Sequence, residues 1–256
     1  MNRKPRKPRR AAQPAVHGRL RRRMRTTVAV FGLALGAVSA VHAQAQRRPE
    51  ADAAQRSPAT IEGRWRESLE AFAAADRARA PDAGGVVFVG SSSIRLWSDL
   101  EREFAPVGIV KRGFGGSRMS DCARYVARLV LPYKPRLVVV YAGDNDLAEG
   151  AQPDQVLASY ADFVAQVHAE LPQTRIAYLS IKPSPLREKL MPRAIQTNEL
   201  IEQYSRRDAR LGFIDVYTPM LDAGGRPRAD LFLPDALHLN AAGYAVWKSA
   251  ISSHLR

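Results

Sequence analysis

The stretch Val86-Val87-Phe88-Val89-Gly90-Ser91-Ser92-Ser93 carries the most information about the fold. Four consecutive apolar residues, three of them valine, predict a strand that is buried on both faces, as strands of parallel sheets are. The strand stops at a glycine, and hydroxyl side chains follow just before a predicted helix. A strand that delivers a serine to the start of a helix is one way to build a serine nucleophile, although a Gly-Ser turn after a strand is more often only a turn.

Apolar runs of the same kind recur along the rest of the chain and alternate with amphipathic segments. The other predicted strands are Val107–Val110, Leu137–Tyr141, Ile176–Leu179 and Phe213–Val216. The predicted helices are Ile61–Arg79, Ile94–Glu103, Asp121–Leu131, Pro153–Glu170, Arg187–Arg207 and Ala241–His254. This alternation predicts a doubly wound α/β sandwich whose ligands bind at the carboxyl ends of the strands.

The charge of the chain is concentrated at its amino terminus. The 256 residues are 46% hydrophobic, which is enough for one sizeable core, and the formal net charge is +14. Residues 1–43 contain eleven Lys and Arg and no acidic residue, so the remainder holds 28 basic against 25 acidic residues. Because the strong basicity belongs to the leader, we expect no nucleic-acid partner for the domain at 61–256.

The leader has the order of a secretory signal. A basic region ending at Arg25 precedes an apolar stretch from Thr26 to Ala40 and then Val41-His42-Ala43. This order predicts a signal peptide at 1–43, cleaved after Ala43 or Ala45, and export to the periplasm or the medium. An uncleaved membrane anchor is the alternative, although the apolar part falls short of the ~20 residues that a spanning helix needs. Residues 44–60, rich in Gln, Arg, Pro and Ala, are expected to be a disordered linker.

Polar loops follow the predicted strands. They are Arg112-Gly113-Phe114-Gly115-Gly116-Ser117 and Gly143-Asp144-Asn145-Asp146, with Asp235-Ala236-Leu237-His238 later in the chain. An Asp three residues before a His can hydrogen-bond the ring and fix its tautomer, which leaves the other ring nitrogen free to accept a proton. Each loop also has a plainer interpretation, as a turn, a flexible loop or a surface ion pair.

Together, these blocks and their order resemble the SGNH hydrolases, also called the GDSL esterase/lipase family, from Val86 to His254. The resemblance implies an α/β/α sandwich with a mainly parallel, flavodoxin-like five-stranded sheet. It also implies a nucleophile at Ser92, a general base at His238 and an orienting acid at Asp235. The oxyanion hole would consist of the backbone N–H groups of Ser92 and Gly116 and the side-chain amide of Asn145, three donors that converge on one oxygen.

One residue departs from the family pattern. Ser91 stands where the family has an acid, giving Gly-Ser-Ser-Ser instead of Gly-Asp-Ser-Leu. The acid mainly holds the loop by local hydrogen bonds, and we expect the hydroxyl of Ser91 to perform part of that task. Ser93 is expected to enter the helix and pack against the sheet.

Other chemistries find less support in the sequence. The glycine-rich loop lacks the Lys-Ser/Thr that a P-loop requires, and the acidic loop lacks the spaced carboxylates of a calcium site. No zinc ligand set is present, and Cys122, the single cysteine, is expected to be a small buried helix residue. Trp97, Trp247 and Phe163 are expected in the core.

The predicted function is therefore that of an exported serine esterase that acts on a small-molecule ester without a cofactor or metal. Simple acyl esters, lysophospholipids and acetylated sugars remain open as substrates, as does the oligomeric state. An acyltransferase and a non-catalytic glycan- or lipid-binding domain on the same fold are the alternatives. The segment Lys182–Arg193 is expected to shape one rim of the site.

Overall fold

The structure, a computed structural model, describes the backbone of residues 58–255 and the side chains of residues 63–255. The predicted signal peptide at 1–43 and residues 44–57 of the predicted linker lie outside the described residues. None of the helices formed by residues 58–255 is long and apolar enough to cross a membrane.

A single parallel sheet organises the described part of the chain. Its strands are β1 (Val86–Gly90), β2 (Ile109–Gly113), β3 (Leu137–Tyr141), β4 (Arg175–Leu179) and β5 (Leu211–Ile214). They lie in the order β2-β1-β3-β4-β5, and every neighbouring pair is parallel. This is the flavodoxin-like order, in which the direction of winding reverses between β1 and β3, and it confirms the predicted fold class.

Helices flank the sheet on both faces. In chain order they are α1 (Pro58–Ala78), α2 (Ser92–Arg95), α3 (Leu100–Glu103), α4 (Met119–Arg124), α5 (Val126–Leu129), α6 (Asp144–Ala148), α7 (Pro153–Glu170), α8 (Met191–Ser205) and α9 (Ala241–Ser252). Short 3₁₀ turns lie at Ala105–Val107, Leu131–Tyr133, Pro185–Leu190, Thr218–Met220 and Ala229–Leu231.

Two cores result from the alternation of side chains along each strand. Val87 and Val89 of β1 point to one face of the sheet and pack under α1, α4, α7 and α8, where Phe163 is fully buried. Val86 and Phe88 point to the other face, where Trp97 and Trp247 form an aromatic cluster with ring centroids 6.1 Å apart. The expected burial of these aromatic residues, and of Cys122 on α4, is confirmed.

Several predicted element boundaries were wrong for identifiable reasons. The second strand begins at Ile109 instead of Val107, because Gly108 has a left-handed backbone (φ +69°) that turns the chain out of a 3₁₀ turn. The strand then continues through Lys111 and Arg112, whose charges concealed it in the sequence. The fifth strand ends at Ile214 instead of Val216, because the N–H of Val216 donates to the Ser180 hydroxyl instead of to a strand.

The predicted helices also changed. The first helix starts at Pro58 instead of Ile61, a position where the missing N–H of proline costs nothing. The predicted helix at 94–103 is split into α2 and α3, and the one at 121–131 becomes α4, α5 and a 3₁₀ turn.

The carboxyl end of β1 requires a glycine. Gly90 has φ +148°, and a Cβ at this position would overlap the carbonyl oxygen of Tyr141 on the adjacent strand β3. Only glycine tolerates both the backbone angle and the close approach. The chain can therefore turn sharply after β1 and place the next residues above the edge of the sheet.

Candidate active site

Ser92 lies directly above the carboxyl end of β1, as the first residue of α2. The backbone holds its loop: the N–H of Ser91 donates to the carbonyl of Tyr141 (3.0 Å), and the carbonyl of Ser91 accepts from Ile94 and Arg95 (3.1 Å each). The hydroxyl oxygen of Ser92 lies 3.0 Å from Nε2 of His238, which is within hydrogen-bond distance. Residues 146 positions apart in the sequence are thus brought into contact.

The other nitrogen of the same ring contacts Asp235. Nδ1 of His238 lies 2.6 Å from Oδ2 of Asp235, while Oδ1 of Asp235 accepts from the backbone N–H groups of Leu237 and His238 (2.9 Å each). The hydrogen bond with the His238 side chain, followed by the two backbone N–H groups, lowers the pKa of Asp235 to about 2. An ionised carboxylate can only accept a hydrogen bond, so the ring proton belongs on Nδ1 and Nε2 is an acceptor toward Ser92.

The tight loop between the acid and the base is strained. Ala236 has a left-handed backbone, with φ +56°, which is uncommon for a residue with a Cβ. Its carbonyl accepts from the N–H of Leu186 (3.0 Å), so the segment after β4 supports the loop from outside. Backbone strain held in place by neighbouring contacts is a frequent feature of functional sites.

Two backbone N–H groups near Ser92 are candidate donors, and Asn145 lines the same cleft. Among the described residues, neither the N–H of Ser92 nor that of Gly116 donates to a backbone carbonyl. Gly116 has φ +77°, and a Cβ there would lie 3.2 Å from Nη2 of Arg64, so glycine keeps this side of the cleft open. Asn145 follows β3 and lines the same cleft as Ser92, Gly116 and His238.

Both ends of the Asn145 side chain are held. Its Nδ2 donates to the carbonyl of Ser117 (3.0 Å), and its Oδ1 accepts from Nη2 of Arg187 (2.9 Å). The neighbouring Asp146 accepts from the backbone N–H of Met119 with both carboxylate oxygens (3.1 and 3.0 Å). These contacts tie the loop after β3 to the loop after β2, and the burial of Asp146 raises the pKa of that carboxyl to about 7.

A cluster of buried charges lies behind Asn145. Lys182 and Arg187 each place a nitrogen 3.1 Å from Oδ2 of Asp144, and the Lys182 ammonium also donates to the hydroxyl of Tyr141 (3.2 Å). Burial by itself raises the pKa of Asp144, but the two cations outweigh it and the pKa lies below its usual value. The cluster therefore carries two positive charges against one negative charge.

The cleft in front of Ser92 is wide, and its lining is both polar and apolar. It has a volume of about 640 Å³, and its walls include Arg64, Glu67 and Ser68 from α1 and Arg95 from α2. Trp65 packs edge-on against Phe114 at its base, with ring centroids 5.2 Å apart. The first helix thus forms a full wall of the cleft.

Four of the five predicted site residues (Ser92, Gly116, Asn145 and His238) line one cleft, and the fifth, Asp235, hydrogen-bonds to His238. The expectation for Ser91 was wrong, because its buried hydroxyl has no hydrogen-bond partner among the described residues and the backbone holds the loop instead. Ser93 does enter the helix and is buried.

Sequence reasoning missed two contributions to the site. The sequence predicted the helix at 61–79 but gave it no place in the site. Arg187 was expected only on a rim, and it contacts Asn145 directly. Within residues 58–255, no group of three or more His, Cys, Asp or Glu side chains is arranged to hold a metal ion.

A parallel α/β/α sandwich with a Ser-His-Asp contact at the carboxyl edge of its sheet is the architecture of SGNH-type ester hydrolases. The GDSL-like Lipase/Acylhydrolase family model matches residues 84–246, well over half of the chain. The chain belongs to this family and is a carboxylic ester hydrolase. Among curated proteins, none matches the sequence at a significant level.

Solved structures share this fold at low sequence identity. A candidate platelet activating factor from Streptococcus pneumonia is 18% identical with a TM-score of 0.69, over 80% of this chain and 99% of that one. A GDSL-like lipase from Bacteroides thetaiotaomicron is 22% identical with a TM-score of 0.63, over 73% and 96%. Axe2, an acetyl-xylooligosaccharide esterase from Geobacillus stearothermophilus, is 15% identical with a TM-score of 0.56, over 68% and 95%.

Proposed function

We propose that this protein is an exported serine esterase that removes short acyl groups, such as acetyl, from polar alcohols through an acyl-serine intermediate. The observation that carries the proposal is the continuous chain of contacts from Ser92 through His238 to Asp235, with distances of 3.0 and 2.6 Å. If Asp235 and His238 formed only a surface ion pair, no contact between His238 and a serine at the end of a buried strand would be expected.

The proposed reaction has two halves. Nε2 of His238 takes the hydroxyl proton of Ser92 as the oxygen attacks the ester carbonyl, and Asp235 stabilises the charged ring. His238 then gives that proton to the departing alcohol oxygen, which leaves the acyl group on Ser92. Water, deprotonated by the same nitrogen, attacks the acyl carbon, and the proton then passes from His238 to the Ser92 oxygen as the acid is released.

The oxyanion that develops in each half needs donors that are already in place. Ser92, Gly116 and Asn145 all line the cleft, which supports the two backbone N–H groups and Nδ2 of Asn145 as these donors. Donors fixed before the reaction cost no reorganisation when charge develops, and removing one such donor typically lowers kcat by about 10² to 10³.

The walls of the cleft favour a polar substrate. Arg64, Glu67, Ser68 and Arg95 line it, and the buried Trp65 is its main large apolar contact. A long acyl chain would have to lie against charged side chains, whereas the hydroxyl groups of a sugar can hydrogen-bond to them. Two of the structural neighbours are an acetyl esterase and an acetyl-xylooligosaccharide esterase, which is consistent with this class.

The exposure of the site favours water over another alcohol as the final acceptor. The side chains of His238 and Asp235 are 24% and 47% exposed. An acyltransferase must keep water away from its acyl-enzyme, and this open cleft offers no such protection. A non-catalytic binding domain would not need the three-residue contact to be intact.

The test combines a covalent probe with an ester panel. An organophosphate probe should add one label, located on Ser92 by peptide mass spectrometry, and Ser92→Ala should lose both the label and the esterase activity. Ser93→Ala is the matched control: its buried hydroxyl has no partner, so it should keep both. Labelling that survives Ser92→Ala would contradict the assigned nucleophile.

The panel tests the substrate class separately. p-Nitrophenyl acetate and acetylated xylo-oligosaccharides should be hydrolysed with much higher kcat/KM than p-nitrophenyl octanoate. A preference for octanoate would refute the short-acyl proposal while leaving the serine mechanism standing.

A further inference from the structure

We propose that Arg187 is a positioning residue that holds and polarises the Asn145 amide for the oxyanion, acting through Asn145 without touching the substrate. This inference rests on the proposed function, because it deepens the role of one oxyanion donor. It begins from the 2.9 Å hydrogen bond that Nη2 of Arg187 donates to Oδ1 of Asn145.

The two contacts of Asn145 determine which way its amide faces. A guanidinium can only donate and a backbone carbonyl can only accept. Arg187 must therefore face the amide oxygen, and the carbonyl of Ser117 must face the amide nitrogen (3.0 Å). One N–H of Nδ2 is used by Ser117, and the second is left for the cleft beside Ser92.

Arg187 is itself held in place. Its Nη1 lies 3.1 Å from Oδ2 of Asp144, so one guanidinium contacts two consecutive residues of the loop after β3. Its side chain is 19% exposed, and it lines a small cavity with Lys182 and Met191 that is separate from the substrate cleft. Arg187 does not line the substrate cleft, and its direct contact with the site is the hydrogen bond to Asn145.

Charge balance does not explain why Arg187 is present. Lys182, with 1% of its side chain exposed, already pairs with Asp144 at 3.1 Å. A second cation that is largely withdrawn from solvent adds a desolvation cost that a single carboxylate does not offset. A cation that donates to an amide oxygen shifts electron density toward that oxygen, which makes the N–H on the far side of the amide a stronger donor. The contact with Asn145 therefore gives Arg187 a role that pairing with Asp144 does not.

A double-mutant cycle in kcat tests the role. Arg187→Ala should lower kcat on the order of 10-fold, as expected for losing a hydrogen bond to a charged group, with KM within about twofold of wild type. In an Asn145→Ala background the same substitution should have no further effect on kcat, because the residue through which it acts is absent. A residue with only a structural role would cost the same factor in both backgrounds.

A second variant and a control guard against misfolding. Arg187→Lys keeps a cation beside Asp144 but cannot reach Asp144 and Asn145 together, so kcat should still fall several-fold while Tm stays close to wild type. Lys189→Ala removes an exposed cation from the same segment and should leave kcat unchanged.

The outcomes separate this inference from the proposed function. A normal kcat for Asn145→Ala would overturn the oxyanion assignment itself. An impaired Asn145→Ala beside an unimpaired Arg187→Lys and Arg187→Ala would overturn only the role of Arg187. Equal losses from Arg187→Ala in the wild-type and Asn145→Ala backgrounds would also overturn it. Loss in the wild-type background alone supports it.

Discussion

Replacing Asp235 by asparagine exchanges one oxygen for a nitrogen and should reverse the tautomer of His238. Oδ1 of Asp235 accepts from two backbone N–H groups, so the oxygen of an asparagine must occupy the same place. The amide nitrogen then takes the position of Oδ2, 2.6 Å from Nδ1 of the ring. Because that nitrogen donates, Nδ1 must accept, and the ring proton moves to Nε2, where it blocks proton transfer from Ser92.

The size of the loss follows from the exposure of the acid. In a buried Ser-His-Asp triad the same substitution lowers kcat by about 10⁴. The Asp235 side chain is 47% exposed, so water can compete for Nδ1 and restore the productive tautomer part of the time. We therefore expect Asp235→Asn to lose about 10² to 10⁴ in kcat, less than His238→Ala, which removes the base altogether.

Stability measurements separate this chemical effect from a structural one. Asp235→Asn keeps both backbone hydrogen bonds and should unfold within about 1 kcal/mol of wild type, whereas Asp235→Ala loses both and should be less stable by about 1 to 2 kcal/mol. The assay is steady-state hydrolysis of p-nitrophenyl acetate together with urea unfolding. A kcat for Asp235→Asn within tenfold of wild type, or equally mild losses for it and His238→Ala, would refute the reasoning.

Three further results are expected. The pKa of the Asp146 carboxyl is raised from 3.8 to about 7, so its contribution to stability is complete below pH 3.8 and is lost as the pH rises through 7. Between pH 5 and 8 the free energy of unfolding of Asp146→Asn should therefore rise relative to that of the wild type, by at most about 4 kcal/mol in urea unfolding. Gly90→Ala should cost about 3 kcal/mol or more, or yield no folded protein, whereas Gly63→Ala, on an open helix face, should stabilise by about 0.5 to 1 kcal/mol; equal Tm values for the two would contradict the account of β1. N-terminal sequencing of exported protein should start at Gln44 or Gln46, and recovery of an intact leader in membranes would indicate an anchor.

The sequence predicted the parts of the fold that depend on local patterns. Apolar runs located β1, β3 and β4 to within one residue, because a strand buried on both faces of a parallel sheet leaves a continuous signal. The partly exposed strands β2 and β5 were found with shifted bounds. The predicted strand bounds were wrong where a single residue changed the backbone. The left-handed backbone of Gly108 makes β2 begin later, and the Ser180 hydroxyl accepts a hydrogen bond from the backbone that follows β5. Neither effect is visible without the partner in space.

The site could be predicted for a related reason. In a doubly wound sheet the carboxyl ends of all parallel strands meet at one edge, so polar loops that follow the strands must converge there. That rule placed the loops of Ser92, Gly116 and Asn145 at one edge, and the resemblance to the family singled out these three residues within the loops. The contact between Asp235 and His238 could be predicted because residues three positions apart in a loop can hydrogen-bond to each other.

The same rule did not predict the contact of Arg187 with Asn145, because that contact is made by the end of a long side chain. Arg187 is one of several basic residues in a proline-rich segment, and nothing local distinguishes it from the exposed Lys189 two positions later. Its partner Asn145 is 42 residues away, and the contact depends on a guanidinium reaching past Asp144. The topology of the sheet determines which loops lie next to each other, but not which side chains within them make contact. Of the two neighbouring cations in the segment Pro185–Leu190, Arg187 enters the cluster and Lys189 is exposed to solvent. The three-dimensional structure was therefore needed to identify residues such as Arg187, which contact the site residues without lining the cleft.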